Sequence, residues 1–175
     1  MHLLEQCAFA IGRIVYKLDR CKALYLRHRI NKAVNNCGGY ISERCNVGYP
    51  SHITIGKNSY INGGDIIASK NAKIVIGDNC LISYNVHLRT DMHEYKYKNV
   101  LINQQGHTEK DIIVEEDCWI GFGAQIMPGV TVGRGAIIGA GAVLTKDAEP
   151  YGIYIGVPAG KIKERTASHK EVEIL

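Results

Sequence analysis

Val114-Glu-Glu-Asp-Cys-Trp, Ile120-Gly-Phe-Gly-Ala-Gln, Ile126-Met-Pro-Gly-Val-Thr, Val132-Gly-Arg-Gly-Ala-Ile, Ile138-Gly-Ala-Gly-Ala-Val, Leu144: written in rows of six, this stretch puts an aliphatic residue at the head of every row. The position four residues on holds Cys118, Ala124, Val130, Ala136 and Ala142, all small or β-branched. A glycine often follows the aliphatic residue, at Gly121, Gly133 and Gly139. An amphipathic helix needs a period of 3.6, and a hairpin sheet needs turn pairs such as Asn-Gly between alternating strands. Neither fits residues 112–146.

Upstream the same pattern recurs. Ile55, Ile61 and Ile67 form one run, with Gly56 after the first. Ile76, Ile82 and Leu88 form another, with Gly77, Cys80 and Val86 in the matching places. A slip of three residues near Lys70–Lys73 separates them. Fixed-period self-similarity is the mark of a solenoid, and a period of six is the parallel β-helix case. One strand and its turn take six residues, and three such units close a triangular coil of about eighteen. A single coil is too small to bury its own core, so stability comes from stacked neighbours. Small residues and glycines let the chain turn tightly at the corners. The expected fold is therefore an all-β solenoid, a parallel β-helix over roughly residues 52–158 within a body of 40–158. A C-terminal tail or short helix is expected over 159–175.

The ladder has one large break. Leu88 to Val114 is 26 residues, which is not a multiple of six. The insertion, 89–111, is polar and carries Asp91, His93, Glu94, Tyr95, Lys96, Tyr97, Lys98, His107 and Glu109. So long an insertion must leave the stack, and long loops in compact domains tend to carry function or to be disordered.

Residues 3–34 follow a helical period, with Leu4, Cys7, Ile11, Ile14, Leu18, Cys21 and Tyr25 at steps of three and four. Asn35-Asn36-Cys37-Gly38-Gly39 ends the segment. Residues 1–36 hold seven Lys/Arg against Glu5 and Asp19, while the remainder holds fourteen basic and fifteen acidic residues. The basic character thus belongs to this segment, 1–39, and not to the body, and no nucleic-acid partner is expected. Two readings stay open: a helix or two packed on the body or on a neighbouring subunit, or a basic amphipathic helix touching an anionic membrane surface. No apolar run is long enough to span a bilayer and no signal peptide is recognisable, so a cytoplasmic location is expected, with the inner face of the membrane as the variant. The chain has six cysteines, Cys7, Cys21, Cys37, Cys45, Cys80 and Cys118, without a CxxC pair. They read as reduced thiols, with Cys80 and Cys118 at core positions.

Three runs carry a family likeness: Asp117-Cys-Trp-Ile-Gly-Phe-Gly-Ala-Gln-Ile-Met-Pro-Gly-Val-Thr-Val-Gly, Ile138-Gly-Ala-Gly-Ala-Val-Leu-Thr-Lys-Asp and Gly156-Val-Pro-Ala-Gly-Lys-Ile. Together they resemble the hexapeptide-repeat acyltransferases, in particular the maltose/galactoside and cell-surface-polysaccharide O-acetyltransferases. The likeness covers about residues 52–165 and is weak or absent over 1–40. It implies a left-handed β-helix, a homotrimer, and acetyl-CoA bound as cosubstrate in the groove between subunits, under the protruding loop. The acceptor it implies is a sugar or cell-surface saccharide. N-acetylation of an amino sugar or small amine, serine O-acetylation, and a non-catalytic trimeric scaffold remain as alternatives.

Acetyl transfer from a thioester needs a base beside the acceptor, donors for the developing oxyanion, a slot for the pantetheine arm and cations for the phosphates. His93 is the candidate base, since the family places its catalytic histidine eight residues after an asparagine like Asn85. Imidazole is also the side chain suited to proton exchange near neutral pH. Asn85 and Asp91 are candidate acceptor contacts, and Asp91 or Glu94 could orient His93. Trp119, the one tryptophan, precedes a ladder residue and should point outward, near the thioester in the family's arrangement. Phe122 stands where relatives carry a small or polar residue, which leaves backbone N–H groups as oxyanion donors. Ala140, Thr145 and Lys146 match the family's cofactor groove. Lys163 stands where relatives often have arginine and would meet a phosphate as a point charge, with Lys161 and Arg165 nearby. His87, His93 and His107 lack the spacing of a metal site, and no metal is expected.

Overall fold

The structure, a computed structural model, describes residues 2–166. One helix, α1 (His2–Ala33), leads into a solenoid of short parallel strands. The strands form three faces, hydrogen-bonded from coil to coil. The first face stacks Asn35–Asn36, Ile53–Ile55, Ile74–Ile76, Ile112–Val114 and Thr131–Val132. The second stacks Tyr40–Ile41, Tyr60–Ile61, Leu81–Ile82, Trp119–Ile120, Ile137–Ile138 and Gly152–Ile155. The third stacks Cys45–Gly48, Gly64–Ile67, Val86–Arg89, Gln125–Ile126 and Val143–Leu144.

Register shows what the six-residue period does. On the second face Ile41, Ile61, Ile82, Ile120, Ile138 and Tyr154 lie directly over one another, all buried. Ile55, Ile76, Val114 and Val132 make the column of the first face. Val47, Ile66, Leu88, Ile126 and Leu144 make that of the third. Burying each such side chain stabilises the fold by roughly 1.5–3 kcal/mol. The second series is buried beside them, including Cys80, Val86, Cys118, Ala124, Val130, Ala136 and Ala142.

One rung differs from the sequence reading: Ile66, not Ile67, occupies the column. Ile66 is fully buried and Ile67 only partly so. The corner before it is one residue short, because Gly64 adopts a φ of 131° and lies against the next coil; a Cβ there would meet the Val86 carbonyl oxygen at 2.1 Å. The chain makes up its length at the third/first corner. The steps Val47 to Ile55, Ile66 to Ile76 and Leu88 to Val114 all exceed six residues there, so the 89–111 insertion enlarges a corner that already bulges in two earlier coils.

Near its C-terminal end α1 closes one end of the solenoid. Asn31 donates from Nδ2 to the Ile41 carbonyl (2.7 Å), and its Oδ1 accepts the Ile41 N–H (2.9 Å). The side chain thus pairs with an edge strand that would otherwise expose its backbone. At the other end the expected tail or helix over 159–175 is, where described, a strand: Gly160–Glu164 pairs antiparallel with Gly152–Ile155. The rest of that expectation, 167–175, lies outside the described residues.

Cys45, Cys80 and Cys118 are buried, whereas Cys7, Cys21 and Cys37 are exposed, and all six are free. Burial pushes the Cys45 thiol up to about 12, and contact with Cys80, then burial, raises Cys118. A thiol-reactive probe should therefore label three cysteines in native protein and all six after denaturation, counted by mass spectrometry. Equal labelling of all six in the native state would contradict this packing.

Candidate active site

The insertion folds as an ordered hairpin. Asp91–His93 pairs antiparallel with His107–Glu109, which sets Asp91 against Glu109 and His93 against His107. Its base is tied to the solenoid. Thr90 is fully buried and donates to the Ser69 hydroxyl (2.9 Å), while the Lys110 N–H donates to the Thr90 carbonyl (2.9 Å). Glu109 accepts the backbone N–H of Asn71 (2.6 Å) and its side-chain amide (3.2 Å). The Asn71 N–H holds the Glu109 carboxyl below the usual carboxylate range. Toward the tip, Gln105 bonds to both the N–H and the carbonyl of Tyr97 (2.9 Å each).

His93 is exposed on this hairpin, its ring centroid 4.3 Å from that of His107 and tilted by 40°. It borders a cleft of about 520 Å³ with Glu94, Lys96, Thr108 and Lys110. Asp91 is taken by Arg89 (Nε to Oδ1, 2.8 Å), and Glu94 accepts the Thr108 hydroxyl. Among the described residues neither carboxylate is hydrogen-bonded to His93, and the His107 ring lies against it.

The remaining candidates divide between two regions. Thr145 and Lys146 are exposed at the third/first corner, where the hairpin also leaves the stack. Asn85 and Ala140 are exposed at the second/third corner, and Trp119, 52% exposed, projects from the second face. Coil-to-coil bonds stack this corner: the Gly123 N–H donates to the Tyr84 carbonyl (2.9 Å) and the Gly141 N–H to that of Phe122 (2.8 Å). Phe122 is 53% exposed there. Lys163 is exposed on the last strand, opposite Ile153. Of the C-terminal cations, Lys161 is held by Glu149 and Glu164, which raise its pKa, and Arg165 by Asp117 (2.7 Å). Among the described residues Lys163 forms no ion pair. The two regions lie on opposite edges of the third face. From Asn85 to Thr90 the chain runs roughly 16 Å, at ~3.3 Å per strand residue, so one chain does not bring them together.

The outward ladders of the faces differ in character. On the second face Tyr40, Tyr60, Leu81, Trp119, Ile137 and Ile153 follow one another from coil to coil. On the third face the same places hold Asn46, Asp65, His87 and Gln125. With Asn85 and Arg44 these line a polar groove of about 610 Å³. Asn46 donates to Asp65 (3.0 Å), whose other oxygen lies 3.5 Å from His87 Nδ1. Gln125 escaped the sequence reading, although it stands just before the inward Ile126 and so had to point out, and Asp65 escaped it because the rung beside it is Ile66 rather than Ile67. Lys110 escaped it because only the fold of the hairpin brings it to the cleft that His93 borders.

The stacked six-residue rungs are those of hexapeptide-repeat transferases: the family described as bacterial transferase hexapeptide (six repeats) matches residues 111–146. The galactoside O-acetyltransferase of Escherichia coli K12 is 37% identical over 117 residues, which are 66% of this chain and 56% of that enzyme. A galactoside acetyltransferase solved in complex with coenzyme A is 32% identical, with a TM-score of 0.68 over 77% of this chain and 67% of that one. A hexapeptide-repeat acetyltransferase of Vibrio cholerae superposes with a TM-score of 0.69 at 25% identity, covering 83% of this chain and 89% of its own. The chain belongs to the hexapeptide-repeat acetyltransferase family, whose fold is the left-handed β-helix. It spans about half the length of the curated relatives it matches.

Proposed function

We propose that the protein is an acetyl-CoA-dependent O-acetyltransferase that modifies a hydroxyl of a sugar or cell-surface saccharide, works in the cytoplasm and assembles as a homotrimer. What carries the reading is the division of its site: the base lies on one edge of the third face, and Asn85, Trp119 and Ala140 lie on the other edge or beyond it. A neighbouring copy that sets its hairpin beside the second/third corner completes the constellation. The apolar outer ladder of the second face, exposed at Tyr40, Leu81 and Trp119, supports such packing, since exposed apolar surface marks an interaction site.

In this reading His93 accepts the proton of the acceptor hydroxyl as that oxygen attacks the acetyl carbonyl of the thioester. The C–S bond then breaks, and the proton passes from the His93 imidazolium to the departing sulfur. The oxyanion is met by backbone N–H groups of the corner, because Phe122 offers no polar side chain. The exposed Trp119 and the small Ala140 fit a pantetheine arm, Thr145 adds a polar contact, and Lys146 and Lys163 fit phosphates. Asn85, with the Asp65–His87 groove beside it, fits the hydroxyls of a saccharide. Asp91 would contact the acceptor only after releasing Arg89.

The test is release of coenzyme A thiol from acetyl-CoA across a panel of saccharides, amino sugars and serine. Turnover with saccharides supports the reading; turnover confined to amines or serine replaces it. No acetyl-CoA binding by calorimetry makes the protein a scaffold. The assembly is tested separately. Leu81→Asp with Ile137→Asp places charge on the apolar face without touching the core columns. The double variant should elute as a folded monomer with activity reduced by about 100-fold or more, since removing the partner's base forfeits general-base catalysis. Unchanged size and activity would overturn the trimer.

A further inference from the structure

We propose that the exposed part of α1 is an interfacial anchor that lies on an anionic lipid bilayer. Every residue from 5 to 22 is exposed, so this part of the helix does not pack on the solenoid. At 100° per residue Ile11, Ile14, Val15 and Leu18 share one face, with exposures of 61%, 60%, 50% and 63%. Arg13, Lys17 and Arg20 gather on the opposite face, and among the described residues none of the three forms an ion pair. Among the described residues no helix is long and apolar enough to cross a membrane, so the helix lies along a surface. Exposed Phe9 and Tyr16 lie beside these basic residues, so an aliphatic face is flanked by aromatic rings and cations, the side chains of a helix seated at the headgroup boundary.

Charge selects the occupant. The steps of three and four from Leu4 to Tyr25 could also seat α1 against other copies of itself. That would gather several segments, each carrying seven basic residues against two acidic ones, in one place. Like charges repel there, whereas an anionic surface neutralises them. The body of the protein, with fourteen basic and fifteen acidic residues, offers no comparable excess. The inference is independent of the acetyl-transfer reading.

The experiment is sedimentation of the full chain with vesicles of phosphatidylcholine alone and of phosphatidylcholine mixed with phosphatidylserine, at low and high salt. Two variants accompany it, Ile11→Glu with Leu18→Glu and Arg13→Glu with Arg20→Glu. These side chains touch nothing in the solenoid, and unchanged thermal unfolding checks that both variants fold. Binding to the phosphatidylserine vesicles is expected to weaken by about tenfold or more in high salt and in either variant. Little binding to phosphatidylcholine alone is expected. Absence of binding, or equal binding to both vesicle types, overturns the proposal. So does a lipid-free, concentration-dependent self-association that the apolar variant abolishes, because other copies would then cover the helix.

Discussion

His93→Ala is expected to lower kcat for acetyl transfer by about 10²–10⁴-fold, the usual contribution of a positioned general base. Affinity for acetyl-CoA, measured by calorimetry, should stay within about twofold of wild type, because the cosubstrate contacts assigned above come from other elements. The variant should also fold, since His93 is exposed and the hairpin is anchored through Thr90, Glu109 and Lys110 at its base. This combination separates a chemical role from a structural one: a collapsed hairpin would lose cosubstrate and acceptor affinity together, whereas a missing base loses kcat. His107 supplies a control. Its ring lies against that of His93, tilted by 40°, but on the returning strand, so His107→Ala should reduce turnover far less than His93→Ala. Near-normal turnover by His93→Ala would sink the assignment, and an equal loss in both variants would mean that the pair acts as a unit.

The core was legible because burial in a solenoid is periodic. An inward side chain must sit over its counterpart in the next coil, and that requirement writes a period of six into the sequence. The reading slipped only at Ile67, where Gly64 shortens a corner through a backbone conformation that period counting does not register. The insertion announced itself by breaking the period, and the family motif singled out His93. The surroundings of His93 were not legible, because His107 reaches it, and Lys110 the cleft it borders, through hairpin pairing, which has no solenoid period. The C-terminal segment misled for a related reason. Lys161, Lys163 and Arg165 alternate as a strand requires, but the run is short, and only its pairing with Gly152–Ile155 decides its form. The division of the site is a property of corners, and it emerged once each candidate could be assigned to an edge of the third face.

Gly121→Ala is expected to destabilise the protein by about 1–3 kcal/mol, the range for forcing extra volume into a packed site. Gly123→Asn, two residues on, should change stability by less than about 1 kcal/mol, although it adds more atoms. The two glycines solve different problems. Gly121 directly follows a core rung, and a Cβ there would stand 2.6 Å from the Ala140 nitrogen and 2.9 Å from the Gly139 carbonyl carbon. Both are backbone atoms of the next coil and cannot swing aside. Gly56, Gly77 and Gly133 hold the same place after other rungs and also meet backbone atoms of the next coil, while Gly139 meets the Ile155 side chain. Gly123 falls three residues after its rung, at a φ of 66° with open space around its would-be Cβ. That place demands a left-handed backbone and leaves room for a side chain. Asn58, Asn79, Asn85 and Asp117 fill it in other repeats, at φ of 58°, 60°, 55° and 60°, as expected of residue types that tolerate this conformation. Thermal unfolding of the two variants decides the matter. If Gly123→Asn proved the more damaging, coil spacing would not be what the glycines after the rungs maintain. If the expected order holds, the repeat carries two separate constraints. The one after the rung sets how closely coils stack, and the one at the corner sets how the chain turns, which leaves the corner side chains free to differ where a ligand or a neighbouring copy is to be met.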